Sequence, residues 1–303
     1  MLYLLPIVFL QRSIKNHNLQ QCLTLQNIMA PKVSVCVPTY NHEKYIRQTL
    51  NGVLMQKTDF EIEIVIGDDA STDNNQQIIQ EYVDKYPNIF QAFLHKENQG
   101  PKEPKEFGGR NNVLGLLKAC KGDYVALCEG DDFWTDPLKL QKQVDFMEKN
   151  KDYAICHHNM RVIYEDGSPE HFFNDENQKT ESSIVEILED RWFIATAATL
   201  YRNIFRKQDF VEWHSRAAAG DWALVIQLAA TGMIYYINEA MGVYRKHSGG
   251  LSNVQSSTNL YFLRNRQQMF TDINEWLNFK YNTTIQQTLV SYEKQIRALE
   301  SKF

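Results

Sequence analysis

Residues 122–134 read GDYVALCEGDDFW. An apolar run with the character of a buried strand stops abruptly at Glu129, Asp131 and Asp132, with Trp134 just beyond. Three carboxylates at one strand end repel one another, which costs stability unless something positive neutralises them. A strand that ends in acids therefore raises two questions: what lies beside it in the fold, and what cation it meets.

The sequence on the amino-terminal side answers the first. VSVCV (33–37) is a β-branched run stopped by Pro38. Tyr45, Ile46, Leu50, Val53 and Leu54 then form the stripe of an amphipathic helix. FEIEIVIGDDAS (60–71) is a second strand, ending in Asp68 and Asp69. DNNQQIIQEYVDKY (73–86) is a second helix, with Asp73 near its start, where a carboxylate suits the helix dipole. IFQAFLH (89–95), GGRNNVLGLLKAC (108–120) and DYVALCEGDD (123–132) continue as strand, helix and strand. This alternation predicts an α/β domain with a mostly parallel central sheet and helices on both faces. Ligands of such sheets bind beyond the carboxyl ends of the strands. PTYN, DDAS and EGDD all fall at those ends, so the three polar clusters are expected to converge on one edge.

Beyond residue 135 the pattern loosens. DPLKLQKQVDFMEKN (136–150) reads as a helix, 153–163 as a strand and 165–182 as loop. FIATAATLYR (193–202) reads as a strand, GDWALVIQLAATG (220–232) as a helix, and MIYYINEAMGVYRKH (233–247) as one or two strands. From about residue 257 onward the text is helical. Ile285, Leu289, Tyr292, Ile296 and Leu299 recur at helical spacing over too short a length for a coiled coil, so this segment is expected to pack on the parent domain. The expected organisation is an extension over 1–28, a main domain over 29–255 (29–150 binding one substrate, 151–255 the other) and a helical segment over 256–303.

Composition narrows the function. A net charge of −5 gives no support for a nucleic-acid partner. Five scattered cysteines without a CxxC pair argue for a reducing compartment and against a disulfide or zinc framework. MLYLLPIVFL (1–10) is interrupted by Pro6 and falls short of the roughly 20 residues a spanning helix needs. No basic region precedes it, as a signal peptide would require. Residues 1–28 read either as an upstream extension before Met29 or as a segment touching a membrane surface. The expected location is cytoplasmic, with possible visits to the inner membrane face.

Oxygen-rich clusters hold Mg²⁺ or Mn²⁺, usually with substrate phosphates completing the shell. Neither a GxxxxGK[ST] phosphate loop nor the kinase HRD/DFG set is present. His157 and His158, adjacent in CHHN (156–159), face opposite sides of a strand and are expected to be structural.

VSVCVPTYNHEKYIRQTL (33–50), IVIGDDASTD (64–73), GGRNNVLGLLKACKGDYVALCEGDDFWTDPLKLQKQV (108–144), GDWAL (220–224) and YRKHSGGLS (244–252) together resemble the family 2 glycosyltransferases. The resemblance implies a GT-A fold and an inverting, metal-assisted transfer from a nucleotide-sugar, a UDP-sugar above all, to a saccharide or lipid-linked oligosaccharide. It implies that Pro38, Thr39, Tyr40 and Asn41 meet the nucleotide. One of Asp68 and Asp69 accepts from the base, and the pair lies close to the ribose. Arg110 and Asn111 approach the donor's sugar and phosphates. By the same likeness Asp132 is the direct metal ligand and Asp131 contacts the ribose or sugar. His247 completes the metal site and Arg245 contacts phosphate. Asp221 is the general base, preceded by Gly220 where relatives often carry a second acid. Glu129 stands where many relatives have Asp. Two rival readings are a sugar-phosphate nucleotidyltransferase, which would carry a Gly-rich loop after the first strand where this chain has PTYNHEKY, and a catalytically silent carbohydrate-binding relative.

Overall fold

In a computed structural model of the chain, residues 30–100, 108–250 and 258–302 are described. The reading of residues 1–28 lies outside them. The first strand, β1 (Val33–Thr39), is buried along almost its whole length, as a mostly apolar run broken only by the small Ser34 suits a strand covered on both faces. It pairs in parallel with β2 (Ile62–Asp68) on one side and β4 (Tyr124–Leu127) on the other. β3 (Phe90–Leu94) adds in parallel to β2. The register sets Thr39 opposite Asp68, so β1 and β2 finish at one level, while β4 stops at Leu127 opposite Cys36, three residues earlier.

Helices α1 (Ile46–Leu54), α2 (Asn75–Lys85) and α4 (Lys139–Lys149) cover one face of the sheet. There Leu50, Ile79 and Met147 pack with Val35, Ile64 and Trp134. α3 (Arg110–Ala119) and α6 (Gly220–Ala229) cover the other, where Leu116 and Ile226 join Val65 and Ile155. The five-residue α5 (Ile184–Leu188) lies on that second face, begun by a capping box of Ser183 and Glu186.

The far half of the sheet is mixed. β6 (Tyr153–Tyr164) runs parallel to the long β10 (Met233–Lys246), whose register shifts between Ile237 and Gly242. β9 (Leu200–Arg202) bridges β4 and β6 antiparallel to both. Two-residue strands β5 (Phe133–Trp134) and β8 (Glu181–Ser182) pair with β10, and β7 (His171–Phe172) with β6. The parallel ladders carry most of the pairing, as the alternation predicts. The run 193–202 departs from expectation. It gives only three residues of strand, because Thr196–Ala198 form a 3-10 turn in which the Thr196 carbonyl accepts from Thr199 and the Ala197 carbonyl accepts from the Trp134 indole.

The carboxyl-terminal helices α7 (Leu260–Trp276) and α8 (Asn282–Glu300) pack on the second face through Ile273, Ile285, Tyr292 and Ile296. From Pro31 onward the residues form one compact unit. No helix among the described residues is long and apolar enough to cross a membrane.

Candidate active site

The carboxyl ends of β1, β2 and β4 bring the three polar clusters together, as expected. Past β4 the chain stays beside β1: the Cys128 amide donates to the Cys36 carbonyl and the Gly130 amide to the Pro38 carbonyl, each at 3.0 Å. Gly130 is required there, since a β-carbon would lie 2.4 Å from Thr39 Oγ1 and 2.8 Å from His42 Nδ1. The close approach of β1 thus dictates the glycine between Glu129 and Asp131. Asn41 (φ 55°) and Ala70 (φ 63°) take left-handed conformations just beyond β1 and β2. Such backbone is uncommon in non-glycine residues and gathers at functional sites.

Asp131 is the hub of the acidic turn. Its Oδ2 lies 3.0 Å from His247 Nε2 and 3.7 Å from His42 Nε2. His42, Asp131 and His247 are the group among the described residues whose ligand atoms all lie within 4.8 Å of one another. Burial pushes the Asp131 carboxyl up, but the His247 hydrogen bond and the charges of both imidazoles outweigh it and hold it below its ordinary value. His42 is pulled down by burial despite Asp131. His42 did not figure in the sequence reading; its only signal is a polar side chain just past PTYN.

Asp132, expected to be the metal ligand, is placed differently. It is buried, and its Oδ1 accepts the Arg245 backbone N–H at 2.8 Å. Burial, then the Asp131 and Glu129 charges, push its carboxyl well up. Arg245 is also engaged: Nε donates to the Asp131 carbonyl (3.0 Å), Nη2 to Gln48 Oε1 (2.8 Å), and the guanidinium lies 4.7 Å from the Tyr45 ring. The end of β10 is thereby strapped across the turn.

Burial first, then the Asp131 and Asp221 charges, push Glu129 up to about 8. Its buried Oε2 has no hydrogen-bond partner among the described residues. Asp221 lies in the first turn of α6, two residues past the cap position at Ala219, and its Oδ1 accepts its neighbour's N–H, that of Trp222, at 2.9 Å. Burial raises the Asp221 carboxyl, and the Arg266 charge lowers it in part. Asp221 also lines a cavity of about 470 Å³ between β6, the end of β10 and helices α7 and α8.

The nucleotide-side residues are held by local hydrogen bonds. Asp68 accepts from the Ser71 amide (2.8 Å) and hydroxyl (2.5 Å), Asn75 Nδ2 (2.6 Å) and Gln76 Nε2 (2.6 Å). Asp69 accepts from the Gln99 amide (2.6 Å) and Asn98 Nδ2 (2.9 Å), and burial raises it. Thr39 Oγ1 accepts from Asn75 Nδ2, Asn41 Oδ1 accepts the Thr72 N–H, and the Tyr40 ring is exposed beyond Pro38. Arg110, expected beside the donor, donates to the carbonyls of Ser215 and Ala217, ahead of α6; burial pulls it down to about 10. Asn111 donates to the Gln99 carbonyl. His157 and His158 are buried in β6 and form no part of a metal group among the described residues.

Comparison with known proteins gives this geometry its context. An uncharacterized protein of Mycobacterium tuberculosis is 38% identical over 219 residues, 72% of this chain and 60% of the relative. The chain thus matches about three-fifths of the length of that relative. Staphylococcus aureus TarS in complex with UDP-GlcNAc superposes with a TM-score of 0.57 at 24% identity, over 80% of this chain and 66% of that one. A mannosyltransferase from Pyrobaculum calidifontis in complex with GDP-Man and Mn²⁺ superposes with a TM-score of 0.56 at 14% identity, over 94% of this chain and 82% of that one. These likenesses are of fold, and the fold is GT-A. The model for glycosyl transferase family 2 matches residues 34–208, more than half of the sequence, and the chain belongs to that family.

Proposed function

We propose that this protein transfers a sugar from a nucleotide diphosphate sugar, a UDP-sugar in the first instance, to a hydroxyl of a saccharide or lipid-linked oligosaccharide, with inversion. The observation that carries the reading is the meeting of Asp131, His42 and His247 with Glu129 and Asp221 beyond the carboxyl ends of β1, β2 and β4. TarS and the Pyrobaculum enzyme bind nucleotide sugars on the same fold.

The residues fit a divalent ion. One carboxylate and two imidazoles have ligand atoms within reach of a common centre, in a turn whose other acids are pushed up by burial first and then by mutual repulsion. Asp131, His247 and His42 would hold the ion, so Asp131 takes the role that the resemblance gives to Asp132. Asp132, bonded to the Arg245 amide, fixes the turn instead. Nitrogen donors suit Mn²⁺ better than Mg²⁺, which prefers an all-oxygen shell. A bound ion supplies charge compensation for the departing diphosphate.

The chain's own groups do the rest. Asp69 has fewer donors on its carboxylate than Asp68 and is the one with lone pairs left for a uracil imide. Thr39, Tyr40 and Asn41 flank the base and ribose. Asp221 removes the proton of the acceptor hydroxyl as that oxygen bonds to the anomeric carbon and the bond to the nucleotide diphosphate breaks. Attack from the face opposite the leaving group inverts the configuration. Glu129, protonated at neutral pH when pushed up to about 8, leaves Asp221 as the charged base beside it. Arg110 positions the segment leading into Asp221 through the Ser215 and Ala217 carbonyls. The buried free thiols of Cys36, Cys120, Cys128 and Cys156 suit a cytoplasmic setting.

The test is turnover of a panel of UDP- and GDP-sugars with Mn²⁺, comparing wild type with Asp131→Asn and Asp221→Asn. Donor-specific turnover lost in both variants supports the roles. Full activity in both overturns them.

A further inference from the structure

The cavity of about 470 Å³ falls within the range of small-molecule sites, roughly 300–1,000 Å³, and exceeds what one sugar ring needs. Asp221 lies at its wall. Much of the remainder comes from residues beyond 208, where the family match stops: Phe262 and Arg266 of α7, Tyr292 and Gln295 of α8. Aromatic rings from β6 and β10, Tyr164 and Tyr244 among them, face these helices. Rings beside a few polar groups are what a sugar's alternating apolar and hydroxyl surfaces require.

Arg266 organises this wall. It is 2% exposed, its guanidinium lies 3.7 Å from the Trp222 ring centroid, and its Nε donates to Tyr292 Oη at 2.9 Å. A further nitrogen pairs with Asp190, which also accepts from Tyr292. Nη1 is barely reached by water and has no hydrogen-bond partner among the described residues. A buried donor left unmade is costly. The Asp190 carboxylate already balances the guanidinium, so Nη1 lacks a lone pair, not a negative charge. Among the described residues, the charged groups around the cavity are Asp190, Asp221, Arg266 and Lys246, with His171 at its edge, and Lys246 lies 4.7 Å from the Tyr244 ring. Acids and fixed cations balance, so an anionic ligand gains no net attraction and meets the base's own charge.

We propose that this cleft is the acceptor site, that it takes an uncharged saccharide, and that α7 and α8 set its specificity, with Arg266 as the positioning residue that holds their wall to Trp222. The proposal rests on Asp221 as the base. It deepens that reading by naming the acceptor class and the elements that recognise it.

The test uses the full chain with Mn²⁺ and UDP. Uncharged methyl glycosides and disaccharides (gluco, galacto, manno, rhamno and N-acetylated) are compared with uronates and sugar phosphates by saturation-transfer NMR. At least one uncharged probe is expected to bind, and Arg266→Lys and Phe262→Ala to weaken it roughly tenfold or more, through loss of the wall's anchor on Trp222 or of a ring contact. UDP affinity, by calorimetry, is expected to stay unchanged. Should Arg266→Lys fail to fold, Phe262→Ala and Gln295→Ala carry the same expectation. Binding of uronates or phosphates in place of uncharged probes, no binding at all, or indifference to the substitutions overturns the proposal. Loss of UDP binding by the wild type would count against the donor reading instead.

Discussion

Lys139 offers a prediction whose size follows from its surroundings. It opens α4, seven residues past the acidic turn's last carboxylate, and its side chain is fully buried. Nζ lies 3.8 Å from the Trp134 ring centroid, has no hydrogen-bond partner among the described residues, and is pulled from its ordinary 10.5 to about 7 by burial. In the unfolded chain the ammonium keeps its ordinary value, so between pH 7 and 10.5 the unfolded state binds more protons and stability rises with pH. Below pH 7 the full cost of the buried charge is present, about 5 kcal/mol at about 1.4 kcal/mol per pH unit. The contact with the Trp134 face returns about 2 kcal/mol. Lys139→Met keeps the volume and removes the charge. It is expected to stabilise the fold by about 3 kcal/mol at pH 6, with the gain shrinking toward zero by pH 10. Urea unfolding of both proteins at pH 6, 8 and 10 measures this. A variant less stable than wild type at pH 6, or a gain independent of pH, would refute the reasoning.

Three further outcomes are expected. Asp68→Ala strands the Ser71, Asn75 and Gln76 donors in a buried site and should cost about 3 kcal/mol in chemical unfolding; a loss below about 1 kcal/mol would contradict its anchoring role. Asp221→Asn should slow transfer roughly a hundred- to ten-thousandfold while leaving UDP affinity intact, since only the proton acceptor is lost. Because burial raises the Asp221 carboxyl and the base works ionised, the transfer rate should fall with decreasing pH through a value above the ordinary 3.8; an acid limb at or below that value would contradict the assignment.

Much of the fold could be read from the sequence because its signals are local. The apolar, β-branched runs and the helical stripes up to residue 150 reappear as β1 to β4 and α1 to α4, and their polar ends meet because adjacent parallel strands run toward the same edge of the sheet. The segment 193–202 misled because its apolar and β-branched residues suit a strand, whereas the Trp134 indole and the Thr199 hydroxyl hold part of it as a turn. The site needed contacts that sequence spacing does not carry. Whether Asp131 or Asp132 faces the imidazoles is decided by the turn at Gly130 and by β10, more than a hundred residues away, whose Arg245 amide claims Asp132. A lone His42 in a loop gives no warning that it will face His247. Nothing in the spacing of Arg110, which the resemblance sets near the donor's sugar and phosphates, signals that it will donate to the Ser215 and Ala217 carbonyls ahead of α6. Nothing in the spacing of Asp190, Arg266 and Tyr292 signals that they form one network beside the base.

The central claim is that Asp131, with His42 and His247, forms a seat for a divalent ion shared with a nucleotide diphosphate. Calorimetric titration of UDP with and without Mn²⁺, on wild type and Asp131→Asn, tests it most directly. UDP binding that requires Mn²⁺ in the wild type and is lost in the variant is the expected result. Equal affinity with and without Mn²⁺, or a variant that binds as the wild type does, would contradict it.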